Sequence, residues 1–224
     1  MDIFGIALLD YQKGIGDQPY RIHRDDGWWA EDHAERYFQL DSWPHEILAL
    51  SNVSDHTLDI GCGAGRRLLW FKRHGINAVG NDASKEAVEV CRLRNCNAAL
   101  EFDVMSDTCD GKLPKADTIT LLGNNIGIDG SFAGACTLFE RLKDLSKPDG
   151  KMILTGIDVT ATENPTHLAY HEKNRAAGRR RSEIKMRFEY KDQMRPWISW
   201  YILKHQRLMR SQRSPDGTST SWKP

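Results

Sequence analysis

Short apolar strands alternate with amphipathic helices through the middle of this 224-residue chain. In the predicted helices the apolar residues recur at three-and-four spacing, whereas the strands are short runs bounded by turn residues. The predicted strands are residues 56–61, 77–81, 98–102, 116–122 and 151–158, with helices at 66–74, 84–95 and 131–145 and a turn at 147–150. Strands and helices that alternate at this pace form a parallel sheet with helices on both faces. The sequence therefore predicts an α/β, doubly wound, mostly parallel core over roughly residues 50–160.

The flanks of this core follow different patterns. Residues 1–49 carry aromatic side chains among acidic ones and predict a partly helical N-terminal cap. Residues 161–203 predict a helix and then an antiparallel hairpin made of residues 184–190 and 197–203, while residues 204–224 have the composition of a polar tail. The chain has no internal repeat and no low-complexity linker, so residues 1–224 are expected to form a single domain.

Composition and charge exclude several classes of protein. The 31 basic and 31 acidic side chains balance, which argues against a protein that binds nucleic acid mainly by neutralising phosphates. The longest N-terminal apolar run, residues 3–9, is too short to span a bilayer and follows no basic residue, so we expect a cytoplasmic protein without a membrane segment. An odd number of cysteines without a Cys-x-x-Cys pair predicts reduced thiols and no metal site: Cys62, Cys91, Cys96, Cys109 and Cys136.

A glycine-rich loop stands where the first core strand meets the first core helix. Its sequence is Asp-Ile-Gly-Cys-Gly-Ala-Gly, residues 59–65. Glycines permit a tight turn and a close approach of the backbone to a ligand, and the helix beyond presents unpaired N–H groups. Ligands of open α/β sheets bind outside the carboxyl ends of the strands. The loop is therefore the predicted ligand site.

Polar residues at the ends of the next three strands indicate what this ligand contains. Asp82 lies just past the second strand, about 20 residues after the glycines, where a carboxylate can accept both hydroxyls of a ribose. Asp103 ends the third strand, in a position to accept from an exocyclic amine. Residues 123–125, Gly-Asn-Asn, follow the fourth strand and would line the reactive end of the pocket.

Residues 57–158 resemble a class I S-adenosylmethionine-dependent methyltransferase. The resemblance is carried by the loop, the two acids, the exit of the fourth strand at residues 122–125 and the Lys-Pro-Asp-Gly turn before the fifth strand. It implies S-adenosylmethionine as the cofactor, with Asp59 orienting its amino group through water, Asp82 holding the ribose, and Asp103 and the Val104 backbone addressing the adenine. The cofactor-binding residues that it implies are Asp59, Gly61, Cys62, Gly63, Gly65, Asp82, Ala83, Asp103, Val104, Gly123 and Asn124.

An NAD-dependent dehydrogenase is the main alternative, because both kinds of enzyme use a glycine-rich loop and an acid after the second strand. Here the spacing is G-x-G-x-G, without the third glycine of G-x-G-x-x-G, and an acid precedes the loop by two residues. No group suited to hydride transfer follows. A second alternative is a protein that binds S-adenosylmethionine without catalysis.

The acceptor side offers several candidates. Asn125 completes a Gly-Asn-Asn segment that resembles the Gly-Asn-Ser of glycine-type amine N-methyltransferases, although it would equally satisfy a turn. After the fifth strand, His167, Tyr170 and His171 share one helix face with Asn174, because their spacing is three or four residues. Candidate catalytic residues are Asn125, Tyr170 and His171, and candidate substrate-binding residues are Asn125, His167, Tyr170 and Arg175. For each helix residue the alternative is an ordinary surface position.

The predicted acceptor is a small molecule, with nitrogen as the first candidate for the methylated atom and oxygen as the second. The basic stretch of residues 175–187 keeps an RNA or protein acceptor as an alternative, yet the chain has no motif for a flipped base. Class I chains normally end with two antiparallel strands. Either the hairpin supplies them, or the final strand is absent and a partner copy in a homodimer covers the exposed sheet edge.

Overall fold

The computed structural model describes residues 2–16, 18–40, 44–106, 111–202, 207–213 and 220–223. The strands, in chain order, are β1 (Tyr20–Arg24), β2 (Trp29–Asp32), β3 (Thr57–Ile60), β4 (Ala78–Asp82), β5 (Ala99–Glu101), β6 (Ala116–Leu121), β7 (Ser146–Leu154), β8 (Glu183–Tyr190), β9 (Gln193–Met194), β10 (Ile198–Tyr201), β11 (Arg207–Arg213) and β12 (Thr220–Lys223). The helices are α1 (Ile3–Gln12), α2 (Pro44–Leu50), α3 (Arg66–Arg73), α4 (Lys85–Leu93), α5 (Phe132–Leu145) and α6 (Pro165–Ala176).

The larger sheet has seven strands in the order β12-β11-β7-β6-β3-β4-β5. The five strands β7, β6, β3, β4 and β5 run parallel, and β3 pairs with both β4 and β6. Side chains alternate between its two faces, since Met152 and Leu154 pack in the cluster that contains α5, whereas Ile153 packs in the cluster that contains α2, α3 and α4. The predicted doubly wound α/β fold is confirmed.

The C-terminal residues correct two predictions. The polar tail expected at residues 204–224 is wrong for its described part, because β11 pairs antiparallel with β7 and β12 pairs with β11. The remaining tail residues, 204–206, 214–219 and 224, lie outside the described part of the chain. Strands pair through their backbone N–H and C=O groups, so β11 needs no apolar pattern to pair. Both earlier accounts of the final strands, the hairpin and their absence, are therefore incorrect.

The predicted C-terminal hairpin forms, but in a second sheet. β8 and β10 pair antiparallel, with Met186 opposite Ile198. They continue into β1 and β2 of the N-terminal cap, giving the order β10-β8-β1-β2, and β9 pairs with β8. The cap is therefore partly helical, as expected, and it also contains a hairpin whose short strands carry no clear alternation. Segments from the two ends of the chain thus build one antiparallel sheet.

The predicted turn at residues 147–150 lies inside β7. Asp149 adopts a left-handed φ of +61°, and the pairing of β7 with β6 shifts register there. The turn residues were read correctly, but the chain returns to the same strand after them.

Among the cysteines, Cys62, Cys91 and Cys96 are buried free thiols and Cys136 is an exposed one, while Cys109 lies outside the described residues. None of the helices in the described ranges is both long enough and apolar enough to cross a bilayer.

The contact between β10 and the turn that follows β6 depends on Gly127. A Cβ atom at Gly127 would collide with the Tyr201 carbonyl oxygen and approach Trp200 Cδ1 to 2.8 Å. We expect Gly127→Ala to lower the free energy of unfolding by about 1–3 kcal/mol, the usual range for overpacking, measured by urea denaturation.

Gly178→Ala is the matched control, because its Cβ would meet nothing within 4 Å and only its φ of +71° would cost free energy. We expect that variant to lose about 1 kcal/mol. A Gly127→Ala protein as stable as the wild type would contradict the close approach of β10.

Candidate functional site

The glycine-rich loop joins β3 to α3 at the carboxyl edge of the parallel strands. Gly61, Gly63 and Gly65 have φ values of +72°, +53° and +72°, in the left-handed region that favours glycine. A Cβ at Gly65 would also lie 2.9 Å from Cys91 Sγ, whereas one at Gly63 would meet no described atom within 4 Å. The loop is therefore tightly packed at Gly65 and has open space beside Gly63, where a ligand can approach the backbone.

Asp82 holds this loop from the end of β4. Its carboxylate accepts a hydrogen bond from the Gly63 N–H at 2.8 Å and another from the Ser84 N–H at 2.9 Å. Burial raises the pKa of Asp82, against the lowering effect of these two N–H donors. Since a carboxylate can accept more than two hydrogen bonds, Asp82 retains capacity for a ligand hydroxyl.

Asp59, at the end of β3, is a buried carboxylate. It accepts a hydrogen bond from the Thr120 hydroxyl at 2.7 Å. Burial raises its pKa to about 6, although the Thr120 hydrogen bond and the Arg67 charge act in the opposite direction. At neutral pH Asp59 is therefore largely ionised, and an ammonium group nearby would stabilise that charge.

Asn125 is occupied by the loop itself. Its Nδ2 donates to the carbonyl oxygens of Ile60 at 2.8 Å and Gly61 at 2.7 Å. A Cβ at Gly61 would lie 2.5 Å from that nitrogen, so this glycine makes room for the amide. The structure thus places the amide nitrogen of the predicted catalytic and substrate-binding Asn125 on the cofactor side, where it holds the loop.

The exits of β6 and β7 are tied together by Thr155. The Gly123 N–H donates to Thr155 Oγ1 at 2.8 Å, and the Asn124 N–H donates to the Thr155 carbonyl at 2.9 Å. Asn124 Oδ1 in turn accepts from the Ile157 N–H at 2.9 Å. Sequence analysis missed Thr155, for which the available signal was a hydroxyl residue at the end of the fifth core strand.

The residues predicted to address the adenine, Asp103 and Val104, follow β5, beside the end of β4. Asp103 is exposed, and its Oδ1 accepts from the Met105 N–H at 2.9 Å. Val104 is buried in the main core, which fixes its backbone, and Ala83 is exposed next to Asp82. The predicted cofactor residues therefore gather along the carboxyl ends of neighbouring strands.

The candidate Tyr170 and its neighbour Asn174, on the same face of α6, bind the second sheet. Tyr170 is buried, and its hydroxyl oxygen accepts from the Lys185 N–H at 3.0 Å. Asn174 Nδ2 donates to the Glu183 carbonyl at 2.8 Å. Burial raises the pKa of Tyr170 to about 12, so its hydroxyl stays protonated at neutral pH. The structure therefore gives these side chains the task of attaching α6 to β8.

The other α6 candidates differ in burial. His171 is buried, and burial together with the Arg181 charge lowers its pKa, so the imidazole is neutral at pH 7. His167 meets the edge of the Trp28 ring, with the ring centroids 5.6 Å apart. Arg175 is 72% exposed and forms an ion pair with Glu172 on its own helix. His171 is thus a buried, neutral imidazole, and Arg175 is a surface residue.

Sequence analysis also missed an ion-pair cluster and a tryptophan. Glu46, from α2, is only 3% exposed and pairs with Arg66 and Arg67, which begin α3 directly after the glycine loop. Trp200, on β10, donates from Nε1 to the Asn124 carbonyl at 3.2 Å. These contacts join segments distant in sequence, so no local motif announces them.

Residues 57–150 match the family model described as a methyltransferase domain. A curated protein, the ubiquinone biosynthesis O-methyltransferase of Chelativorans sp. (strain BNC1), is 28% identical over 103 residues, which are 46% of this chain and 40% of that protein. The match thus spans about two fifths of the length of that relative.

Solved structures share the fold. A SAM-dependent methyltransferase from Bacteroides fragilis, in complex with S-adenosyl-L-homocysteine, superposes with a TM-score of 0.76 at 24% identity, over 90% of this chain and 81% of that chain. A SAM-dependent methyltransferase from Methanosarcina mazei superposes with a TM-score of 0.55 at 14% identity, over 74% of this chain and 78% of that chain. Residues 57–150 therefore form a methyltransferase domain, in a protein with the class I S-adenosylmethionine-dependent methyltransferase fold.

Proposed function

We propose that this protein transfers a methyl group from S-adenosylmethionine to a small-molecule acceptor. Nitrogen is the first candidate for the methylated atom, and oxygen is the second. The observation that carries the proposal is the pair of carboxylates, the buried Asp59 and the partly buried Asp82, that flank the glycine loop inside the matched domain. The family match and the G-x-G-x-G spacing favour this activity over a nicotinamide-dependent dehydrogenase. We also propose that residues 1–224 act as one domain, because segments from both ends of the chain build the second sheet.

The residues present fit the proposed cofactor. The open space beside Gly63 leaves room for a ligand against the loop backbone, and Asp59 would orient an ammonium group through water. Asp82 would accept from the ribose hydroxyls, while Asp103 and the Val104 backbone would address the adenine. When bound, S-adenosylmethionine would supply a methyl group on a sulfonium sulfur, which leaves as a neutral thioether in an in-line displacement.

The protein's part in such a displacement is mainly to hold donor and acceptor in a near-attack geometry. An amine acceptor needs only to be neutral, whereas a hydroxyl acceptor usually needs a proton acceptor nearby. We assign the role of proton acceptor for a hydroxyl substrate to His171, since the Tyr170 hydroxyl is protonated and bound to β8. The name of the Chelativorans relative supports an oxygen acceptor as the second candidate.

The fold bears on two predicted partners, a second copy of the chain and a nucleic acid. A homodimer was expected to cover an exposed edge of the parallel sheet, but β11 already pairs with β7 there. The basic stretch around Arg179 is partly paired, because Arg179 contacts Asp25 at 3.6 Å. The pairing of Arg179 favours a small-molecule acceptor over a nucleic acid.

Replacement of Asp82 tests the cofactor assignment. We expect Asp82→Ala to weaken binding of S-adenosylmethionine and S-adenosylhomocysteine by about 1.5–3 kcal/mol, because ribose hydroxyls lose a charged acceptor. The measurement is calorimetric titration, with NADH as a third ligand. Asp117→Ala is the matched control, because Asp117 lies at the amino end of β6, away from the glycine loop, and pairs with Lys147 at 3.0 Å. Unchanged affinity in Asp82→Ala, or binding of NADH alone, would contradict the proposal.

The raised pKa of Asp59 predicts a pH-dependent affinity. Below its pKa of about 6 the carboxyl of the free protein is protonated and loses its attraction for an ammonium group. The affinity for S-adenosylhomocysteine is therefore expected to stay constant from about pH 8 to 7 and to fall below pH 6, by up to about tenfold per pH unit. Asp59→Asn should remove most of that dependence, and exposed Asp103→Asn should keep it. A profile that is the same in Asp59→Asn and wild type would exclude Asp59 as the ammonium partner.

The assignment of His171 predicts a difference between acceptor classes. In an assay of methyl transfer to a panel of primary amines and phenols, we expect His171→Ala to lower kcat for phenols by about 10²-fold or more and to leave kcat for amines within threefold. Arg175→Ala, on the same helix but exposed, is the control and should leave both unchanged. An equal loss for amines and phenols would assign His171 a structural role.

A further inference from the structure

One face of the second sheet carries a run of apolar side chains across β1, β8 and β10. Residues directly opposite each other on antiparallel strands point to the same side, and side chains alternate along each strand. Phe188 lies opposite Ile22, Met186 opposite Ile198, and Ile184 opposite Trp200. We define these six residues as the inner face: Ile22, Ile184, Met186, Phe188, Ile198 and Trp200.

The two ends of the inner face are anchored to the methyltransferase domain. At one end, Trp200 Nε1 donates to the Asn124 carbonyl at the exit of β6, at 3.2 Å. At the other end, Ile22 and Phe188 pack in a cluster with α1. The start of α1 lies against the residues after Asp82, since a Cβ at Gly5 would come 3.0 Å from Glu86 Cβ. The inner face therefore extends between the ribose-side acid and the strand exit that faces the acceptor.

The middle of the inner face is apolar but belongs to no core. Ile184, Met186 and Ile198 are partly buried, and none of the hydrophobic clusters formed by the described residues includes them. The outer face of the same sheet is charged, with Arg21 paired to Glu31 at 3.0 Å. The inner face thus has the chemistry to cover an apolar molecule.

The charged side chains at the border of the inner face are already neutralised. Arg24, which is opposite Met186, donates two hydrogen bonds to Asp26, at 2.8 and 2.7 Å. Its guanidinium also lies over the Tyr170 ring, 4.1 Å from the centroid. At the far border, Asp32 pairs with Arg36 at 2.6 Å. The face therefore offers apolar contact without a free ionic partner for an acidic acceptor.

We propose that Met186, Ile198 and Trp200 form a wall of the acceptor pocket, and that the acceptor presents an apolar, uncharged body to this wall. The inference rests on the proposed methyl transfer, because it places the acceptor between the inner face and the cofactor loop. Burial of an apolar body against the wall would be favourable in proportion to the area removed from water. It would also exclude water from the sulfonium side and hold the acceptor in line.

The test is a titration of the protein, saturated with S-adenosylhomocysteine, with the neutral fluorescent probe N-phenyl-1-naphthylamine. We expect saturable binding at one site, weakened at least tenfold in Met186→Ala and in Ile198→Ala. Met194→Ala is the matched control, because Met194 is on the outer side of the same sheet, opposite Glu189, and is 45% exposed. That variant should bind the probe within twofold of the wild type. Circular dichroism identifies any variant that fails to fold, and the other inner-face variant then decides.

Two outcomes would overturn the wall: absence of saturable probe binding, or equal weakening in Met194→Ala. Calorimetric titration with S-adenosylhomocysteine on the same samples separates this inference from the proposed function. Its affinity should remain within twofold in Met186→Ala and Ile198→Ala. Loss of S-adenosylhomocysteine binding by the wild type, with probe binding retained, would contradict the proposed function and leave the apolar pocket in place.

Discussion

The left-handed backbone of the glycine loop is the constraint on which the site depends. Two side chains hold this loop: Asp82, at the end of β4, accepts from the Gly63 N–H, and Asn125, in the turn after β6, donates to the Gly61 carbonyl. The loop itself can adopt the required φ values because it has glycine at each strained position. Its shape is therefore fixed before any ligand arrives, which reduces the ordering cost of binding.

Burial gives the two site carboxylates their chemical character. Burial raises the pKa of both Asp59 and Asp82, and hydrogen-bond donors act against this rise. Thr120 serves Asp59, and backbone N–H groups serve Asp82. A polar or cationic ligand group would complete the set of partners of each carboxylate. The energetic cost of burying them is thus offset most fully when the site is occupied.

Much of the cofactor half could be predicted from the sequence, because its signals are local. A glycine needs no distant partner to adopt a left-handed φ, and an acid at a strand end has its position set by the strand. β11 could not be predicted, because it pairs with β7 through backbone groups that every residue carries. The role of Asn125 was also hidden, since it depends on the space left by Gly61, which only the folded chain brings near.

The sequence by itself determined the parallel core, the glycine loop and the acids that flank it, because periodicity and turn chemistry act over a few residues. Tertiary structure alone decided which segments cover that core. It joined β1 and β2 to β8 and β10, and it brought Trp200 to the exit of β6. The physical reason is that pairing between distant strands and burial of their side chains depend on the whole chain closing around its core, which no local pattern encodes.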